Sequence, residues 1–184
     1  MPQKNHAMLT DTPQWVALYT KSRAERKAEE KLRERGFETY LPLRCKLHRW
    51  SDRWKTIEEP LLPGYLFARI RRTDVIPVRS IDFVVNVVSW HYQPAVIPDS
   101  EMAALRRLVD SDKDIFIRNN EGLQKGAMVR ITGGEFNGMT GVLFSEETGG
   151  NFGISITGLD FFLVVEVERN LLEVISPTAE KANE

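Results

Sequence analysis

Apolar residues in this 184-residue chain follow two different rhythms. Early on, short apolar runs alternate with stretches at helical spacing. Beyond about residue 120 only short runs remain, cut repeatedly by glycine. Trp15-Val16-Ala17-Leu18-Tyr19 has the length and composition of a buried strand. Ser22 with Glu25 three residues on is a capping-box pattern, and Gly36 supplies a helix stop. Between them Ala24, Ala28 and Leu32 recur at i, i+4, i+8 and make a narrow apolar stripe. Phe37 to Leu43 predicts a second strand, then a basic hairpin turning at Ser51-Asp52, then a strand from Tyr65 to Ile70. Asp74 to Arg79 predicts a short helical turn despite Pro77, and the β-branched run Phe83 to Val88 predicts a central strand. Pro98-Asp99 opens a helix to about Val109, with Met102, Leu105 and Val109 on one stripe.

The order strand, helix, strand, hairpin, strand, strand, helix predicts an α/β sandwich, a mainly antiparallel sheet carrying helices, over residues 13–110. Residues 111–122, with Asp112-Lys113-Asp114 and Asn119-Asn120-Glu121-Gly122, read as a polar linker. Over 123–177, short strands are expected at Met128 to Ile131, Thr140 to Ser145, Phe152 to Ile156, Phe161 to Val167 and Leu171 to Ile175. Glycines between them predict a small β-barrel. The ends, 1–12 and 178–184, read as flexible tails. The aromatic and β-branched run Phe161 to Val167 favours strand over helix, and each glycine nearby would cost a helix about 1 kcal/mol relative to alanine.

Composition narrows the class. Hydrophobic residues make up 42% and charged residues 28%, as in an ordinary soluble domain. No apolar run approaches the roughly 20 residues that span a bilayer, so a cytoplasmic protein without membrane contact is expected. Cys45 is the single cysteine, so no internal disulfide can form. The net charge of −1 hides an asymmetry: Pro13 to Ser111 carries 18 Lys/Arg against 13 Asp/Glu, or +5, and Asp112 to Glu184 carries 6 against 12, or −6. Lys4 and Asp11 cancel. A basic half joined to an acidic one suggests that one surface works near nucleic acid and the other elsewhere.

Candidate chemistry is confined to binding. Arg44 to Lys55 carries five Lys/Arg against one Asp, interleaved with Trp50 and Trp54. Alternation puts Arg44, Lys46 and His48 on one face. Phosphate neutralisation beside aromatic stacking suits an exposed nucleic-acid strand; the competing reading is a solvated hairpin whose tryptophans pack on the sheet. Arg49 and Arg53 belong to the same basic set. Lys21, Arg23, Arg26 and Lys27 cluster at the start of the first helix, where pairing with Glu25, Glu29 and Glu30 is the alternative. Cys45 and His48 have a metal-like spacing, but no second pair completes a site, so no metal or cofactor is expected. No nucleophile elbow, phosphate loop or paired-carboxylate arrangement occurs, so the chain reads as a non-enzyme.

Two motifs carry a family resemblance. In Glu59-Pro60-Leu61-Leu62-Pro63-Gly64-Tyr65-Leu66-Phe67, two prolines bracket a leucine pair, and Gly64 turns the chain into a strand with Tyr65 and Phe67 on one face. This segment with its surroundings resembles the NusG family of transcription elongation factors, most closely the specialised paralogues of the RfaH and UpxY type. The stretch Lys125 to Val142 resembles a KOW motif, with Gly126, Val129, Ile131, Gly134, Phe136, Gly138, Gly141 and Val142 at the patterned positions.

The resemblance runs from about Gln14 to Ile175. It implies an α+β chain: an NGN-like α/β sandwich with an antiparallel sheet, followed by a small KOW-type β-barrel. It also implies a monomeric factor whose first domain grips the clamp helices of RNA polymerase. Leu62, Pro63, Tyr65 and Phe67 match the anchoring segment, and Met102 and Leu105 match the facing helix. The basic residues at the first helix match a contact with the non-template DNA strand, Lys21 by position and the others by charge. The barrel would recruit a ribosomal protein or the termination factor Rho. The family's general factor has an aromatic-Gly-Arg segment where this chain has Thr157-Gly158-Leu159-Asp160, which favours a specialised regulator over the housekeeping factor. A ribosome-associated RNA-binding KOW protein is the rival of another class, and the acidic second half argues against it.

Overall fold

The computed structural model describes residues 8–49, 54–111, 113–119, 126–144 and 150–176. The chain divides into two compact units, 1–102 and 103–184. The first contains β1 (Gln14–Thr20), α1 (Glu25–Glu34), β2 (Glu38–Tyr40), β3 (Leu43–Arg49), β4 (Trp54–Pro60) and β5 (Tyr65–Ile70). A 3-10 turn and α2 (Val75–Arg79) come next, then β6 (Val84–Val87), β7 (Ser89–Trp90), β8 (Gln93–Pro94), β9 (Val96–Ile97) and the start of α3 (Asp99–Val109).

Its sheet has the order β2-β5-β1-β6, with β9 also paired to β1, and every pairing is antiparallel. Strand alternation sorts the side chains. Val16 and Leu18 of β1 and Leu66, Ala68 and Ile70 of β5 join Ala28 and Leu32 of α1 and Val78 of α2 in one core. The predicted stripe on α1 is therefore its buried face. Leu32 is 0% exposed, and truncating it to alanine should cost about 2–5 kcal/mol. The helix ends in a Schellman arrangement: Phe37 N–H donates to Leu32 C=O (3.1 Å) and Gly36 N–H to Arg33 C=O (2.9 Å), with Gly36 at φ +82°.

Several expectations are corrected. The capping box does not form: α1 starts at Glu25 after Ala24, with no side-chain cap, and the Glu25 carboxylate is engaged elsewhere. The expected strand Phe37 to Leu43 is two strands, because Pro42 has no N–H to continue a ladder. The apolar row of α3 is Met102, Leu105 and Leu108, with Val109 only half-buried. The valine-rich run expected as a central strand is an edge strand, with Val85 57% exposed.

That edge also contains an unforeseen excursion. The chain pairs with β1 through β6 and again through β9. Between them Ala95 N–H donates to Val88 C=O (2.9 Å), and residues 89–94 loop out as the β7–β8 hairpin. Its two-residue turn, His91-Tyr92, has φ of 47° and 66°, a conformation usually given to Asn-Gly. Such an excursion blunts a sheet edge.

The second unit contains β10 (Phe116–Asn119), β11 (Met128–Ile131), β12 (Thr140–Leu143), β13 (Gly150–Ser155), β14 (Phe161–Val167) and β15 (Leu172–Ser176). They form an antiparallel sheet of order β10-β14-β13-β12-β11-β15, and among the described residues no pairing closes it into a ring. Val129, Ile131, Phe136, Phe152 and Leu163 are buried. Gly141 is needed for a close approach, since a Cβ there would lie 2.4 Å from Gly153 O and 2.7 Å from the Phe152 ring. The span read as linker is not wholly irregular: Phe116–Asn119 adds to β14 as a sixth strand. Among the described residues no helix is long and apolar enough to cross a membrane.

Candidate nucleic-acid and partner interface

The first unit's second sheet face carries the candidate anchor. Register pairs Tyr65 with Tyr19, and Phe67 with both Ala17 and Tyr40. The Tyr19 and Tyr65 rings lie 4.9 Å apart, and Tyr65 Oη donates to Tyr19 Oη at 3.1 Å. Tyr19 is 42% exposed and Tyr65 half-buried, so this pair is the accessible aromatic part of the candidate anchor. Pro63 beside it is exposed. Leu62, Phe67, Met102 and Leu105 are all buried at 2% exposure or less. Sequence reading did not single out Tyr19, because its place opposite Tyr65 depends on the register of β1 against β5.

The turn before Tyr65 is held from both sides. Gly64, at φ +82°, accepts from Thr20 N–H (2.9 Å) through its carbonyl and donates through its N–H to Glu25 Oε1 (2.7 Å). Next to it the β1–α1 connection bends at Arg23, a non-glycine residue at φ 57°. Lys21 and Arg23 are exposed and make no ion pair among the described residues. Of the three carboxylates expected to neutralise this bend, Glu25 bonds Gly64 and Glu29 pairs with Arg33 at 2.7 Å, while Glu30 is exposed. Arg26 pairs with Glu58 of β4 at 3.0 Å, and Lys27 Nζ lies 5.7 Å from the Phe83 ring centroid.

The hairpin β3–β4 offers fewer available cations than its residue count suggests. Pairing sets Arg44 opposite Glu59 and Cys45 opposite Glu58. Arg44 bonds Glu59 at 2.8 Å, and Lys46 approaches the same carboxylate at 3.7 Å. Arg49 lies 5.8 Å from the ring of Trp54, which is 64% exposed. Trp50, Arg53 and the expected turn at Ser51-Asp52 lie outside the described residues. The Arg26–Glu58 pair joins α1 to the base of this hairpin, bringing the two basic regions together. Among the described residues no group of three or more His, Cys, Asp or Glu is placed to hold a metal ion.

The site is an accessible aromatic pair beside a proline-glycine turn, next to two cations that form no ion pair among the described residues. A family model described as transcription termination factor nusG matches residues 13–106. The chain belongs to the NusG family, whose members are transcription factors rather than enzymes. Among solved structures it is similar to the one titled "Domain interaction in Thermotoga maritima NusG", at 25% identity over 89% of this chain and 98% of that one, with a TM-score of 0.52. The "MjSpt4:Spt5 complex" matches in conformation B at 15% identity over 90% of this chain and 99% of that one, with a TM-score of 0.31. Conformation A matches at 14% identity over 89% and 99%, with a TM-score of 0.30.

Proposed function

We propose that this protein is a specialised transcription elongation and antitermination regulator of the RfaH/UpxY type, binding the RNA polymerase clamp helices through its first domain and suppressing pausing or termination at particular operons. The observation that carries the reading is the Tyr19–Tyr65 pair set beside Pro63-Gly64 and next to Lys21 and Arg23, which form no ion pair among the described residues. Aromatic anchors supply most of the energy at an interface centre, and flanking cations steer a nearby nucleic-acid backbone. Tyr65 and Pro63 make the first contact. Leu62 and Phe67, and Met102 and Leu105 of α3, are buried, so they support this contact from within the core rather than at its surface. Lys21 and Arg23 face the non-template DNA strand, with Arg26, Lys27, Arg44, Lys46, Arg49 and Arg53 as a surrounding basic field.

The second unit is a KOW-type barrel in this reading. Buried Val129, Ile131 and Phe136 and the close approach at Gly141 support it. Its acidic balance favours a protein partner over RNA, and Thr157-Gly158-Leu159-Asp160 in place of the general factor's aromatic-Gly-Arg segment favours the specialised regulator. No step of the mechanism requires chemistry. The factor acts as a monomer in the cytoplasm, and the ribosomal protein or Rho remains the candidate partner of the barrel. Affinity capture from extract tests the assignment. Recovery of RNA polymerase supports it, recovery of ribosomes alone points to the ribosomal class, and binding at every transcribed gene rather than at few operons points to the housekeeping factor.

A further inference from the structure

Three loops meet at one end of the first unit's sheet, and each holds one residue in the left-handed region: Arg23 (φ 57°), Gly64 (φ 82°) and Phe83 (φ 78°). Gly64 adopts such an angle freely, but at the non-glycine Arg23 and Phe83 it persists only where surrounding structure over-determines it. Main-chain bonds supply part of that restraint, from Thr20 N–H to Gly64 C=O (2.9 Å) and from Lys21 N–H to Phe83 C=O (2.8 Å). A side chain supplies the rest. Glu25, the first residue of α1, is 5% exposed and accepts the Gly64 N–H at 2.7 Å. A carboxylate is buried at a cost unless hydrogen-bonded, and bonds to an ionised acceptor are short and strong. Glu25 is therefore neither a helix cap nor a solvated charge: it reaches 39 residues along the chain to a single backbone amide.

We infer that Glu25 is a positioning residue for the contact surface, fixing the Gly64 turn so that Tyr65 stands against Tyr19 and the Lys21–Arg23 bend is held beside them. One side chain thus ties the polymerase-facing ring to the nucleic-acid-facing cations. This inference rests on the reading of Tyr65 as a polymerase contact.

Full-length Glu25→Ala, Glu25→Gln and Tyr65→Ala proteins, titrated against core RNA polymerase with the Gly64 amide followed by NMR, test it. Glu25→Ala should shift the Gly64 amide, remove its exchange protection and weaken polymerase binding about tenfold, the effect of leaving a partly buried amide unpaired. Glu25→Gln, whose side-chain oxygen can accept the same bond, should keep the Gly64 signal and bind within about threefold of the wild type. If the alanine variant does not fold, Glu25→Asp, one methylene too short to reach Gly64, replaces it. An unchanged Gly64 amide in Glu25→Ala overturns the inference. So does a lost Gly64 signal with wild-type polymerase binding, or a glutamine variant that keeps the signal yet binds like alanine. Normal binding by Tyr65→Ala instead overturns the reading of the patch, and the positioning role falls with it even where the Gly64 signal responds.

Discussion

The two basic regions of the first unit look alike as residue counts and differ as surfaces. The β1–α1 bend presents Lys21 and Arg23 with no ion pair among the described residues, because Glu25 and Glu29 are committed to Gly64 and Arg33. The hairpin carries more cations, yet Arg44 and Lys46 share Glu59. Antiparallel register sets Glu59 directly opposite Arg44 and diagonal to Lys46, which itself faces Ile57. Charge available to a phosphate backbone is thus set by pairing and not by the number of Lys and Arg. Exposed pairs of this kind are worth only about 0–1 kcal/mol, so they lower the hairpin's potential without locking it.

The largest effect belongs to the aromatic patch beside the bend: Tyr65→Ala should weaken polymerase binding by about 2 kcal/mol, roughly 30-fold, and leave the fold intact. Binding isotherms and near-ultraviolet circular dichroism check both halves of that statement. Next, reversing Lys21 and Arg23 together should lower crosslinking to the non-template strand about tenfold and reduce the salt slope of binding by about 0.7 per lost phosphate contact. Reversing Arg44 and Lys46 should change either quantity by no more than about threefold, since both are already partly neutralised. Equal losses from the two pairs would erase the distinction drawn between the regions. The smallest effect is a gain: Glu59→Gln frees Arg44 and Lys46, and single-strand affinity should rise about twofold at low salt and not at all at high salt.

Much of this molecule was legible in its sequence, and the exceptions have physical reasons. The strands at Trp15 and Tyr65, the buried stripe Ala24-Ala28-Leu32 and the strand Phe161–Val167 follow from periodicity and propensity, which act locally. The capping box failed because Glu25 found a better partner, the Gly64 amide, far away in sequence. The Phe83 to Val88 run reads as central because β-branched residues mark a pleated surface without saying whether both neighbours exist. The His91-Tyr92 hairpin escaped notice because its turn lacks the Asn-Gly or Gly-rich signature that such backbone angles normally require. Of the site, the aromatic strand and the basic residues were visible. The pairing that separates available from neutralised cations was not, because it depends on register across β3 and β4.

Site-specific photocrosslinking in a transcribing complex tests the account most directly, with the probe placed in turn at positions 23, 46 and 65. The account predicts polymerase clamp adducts from 65, non-template DNA adducts from 23, and few DNA adducts from 46. Ribosomal adducts from all three, or DNA adducts from 46 that match those from 23, would contradict it.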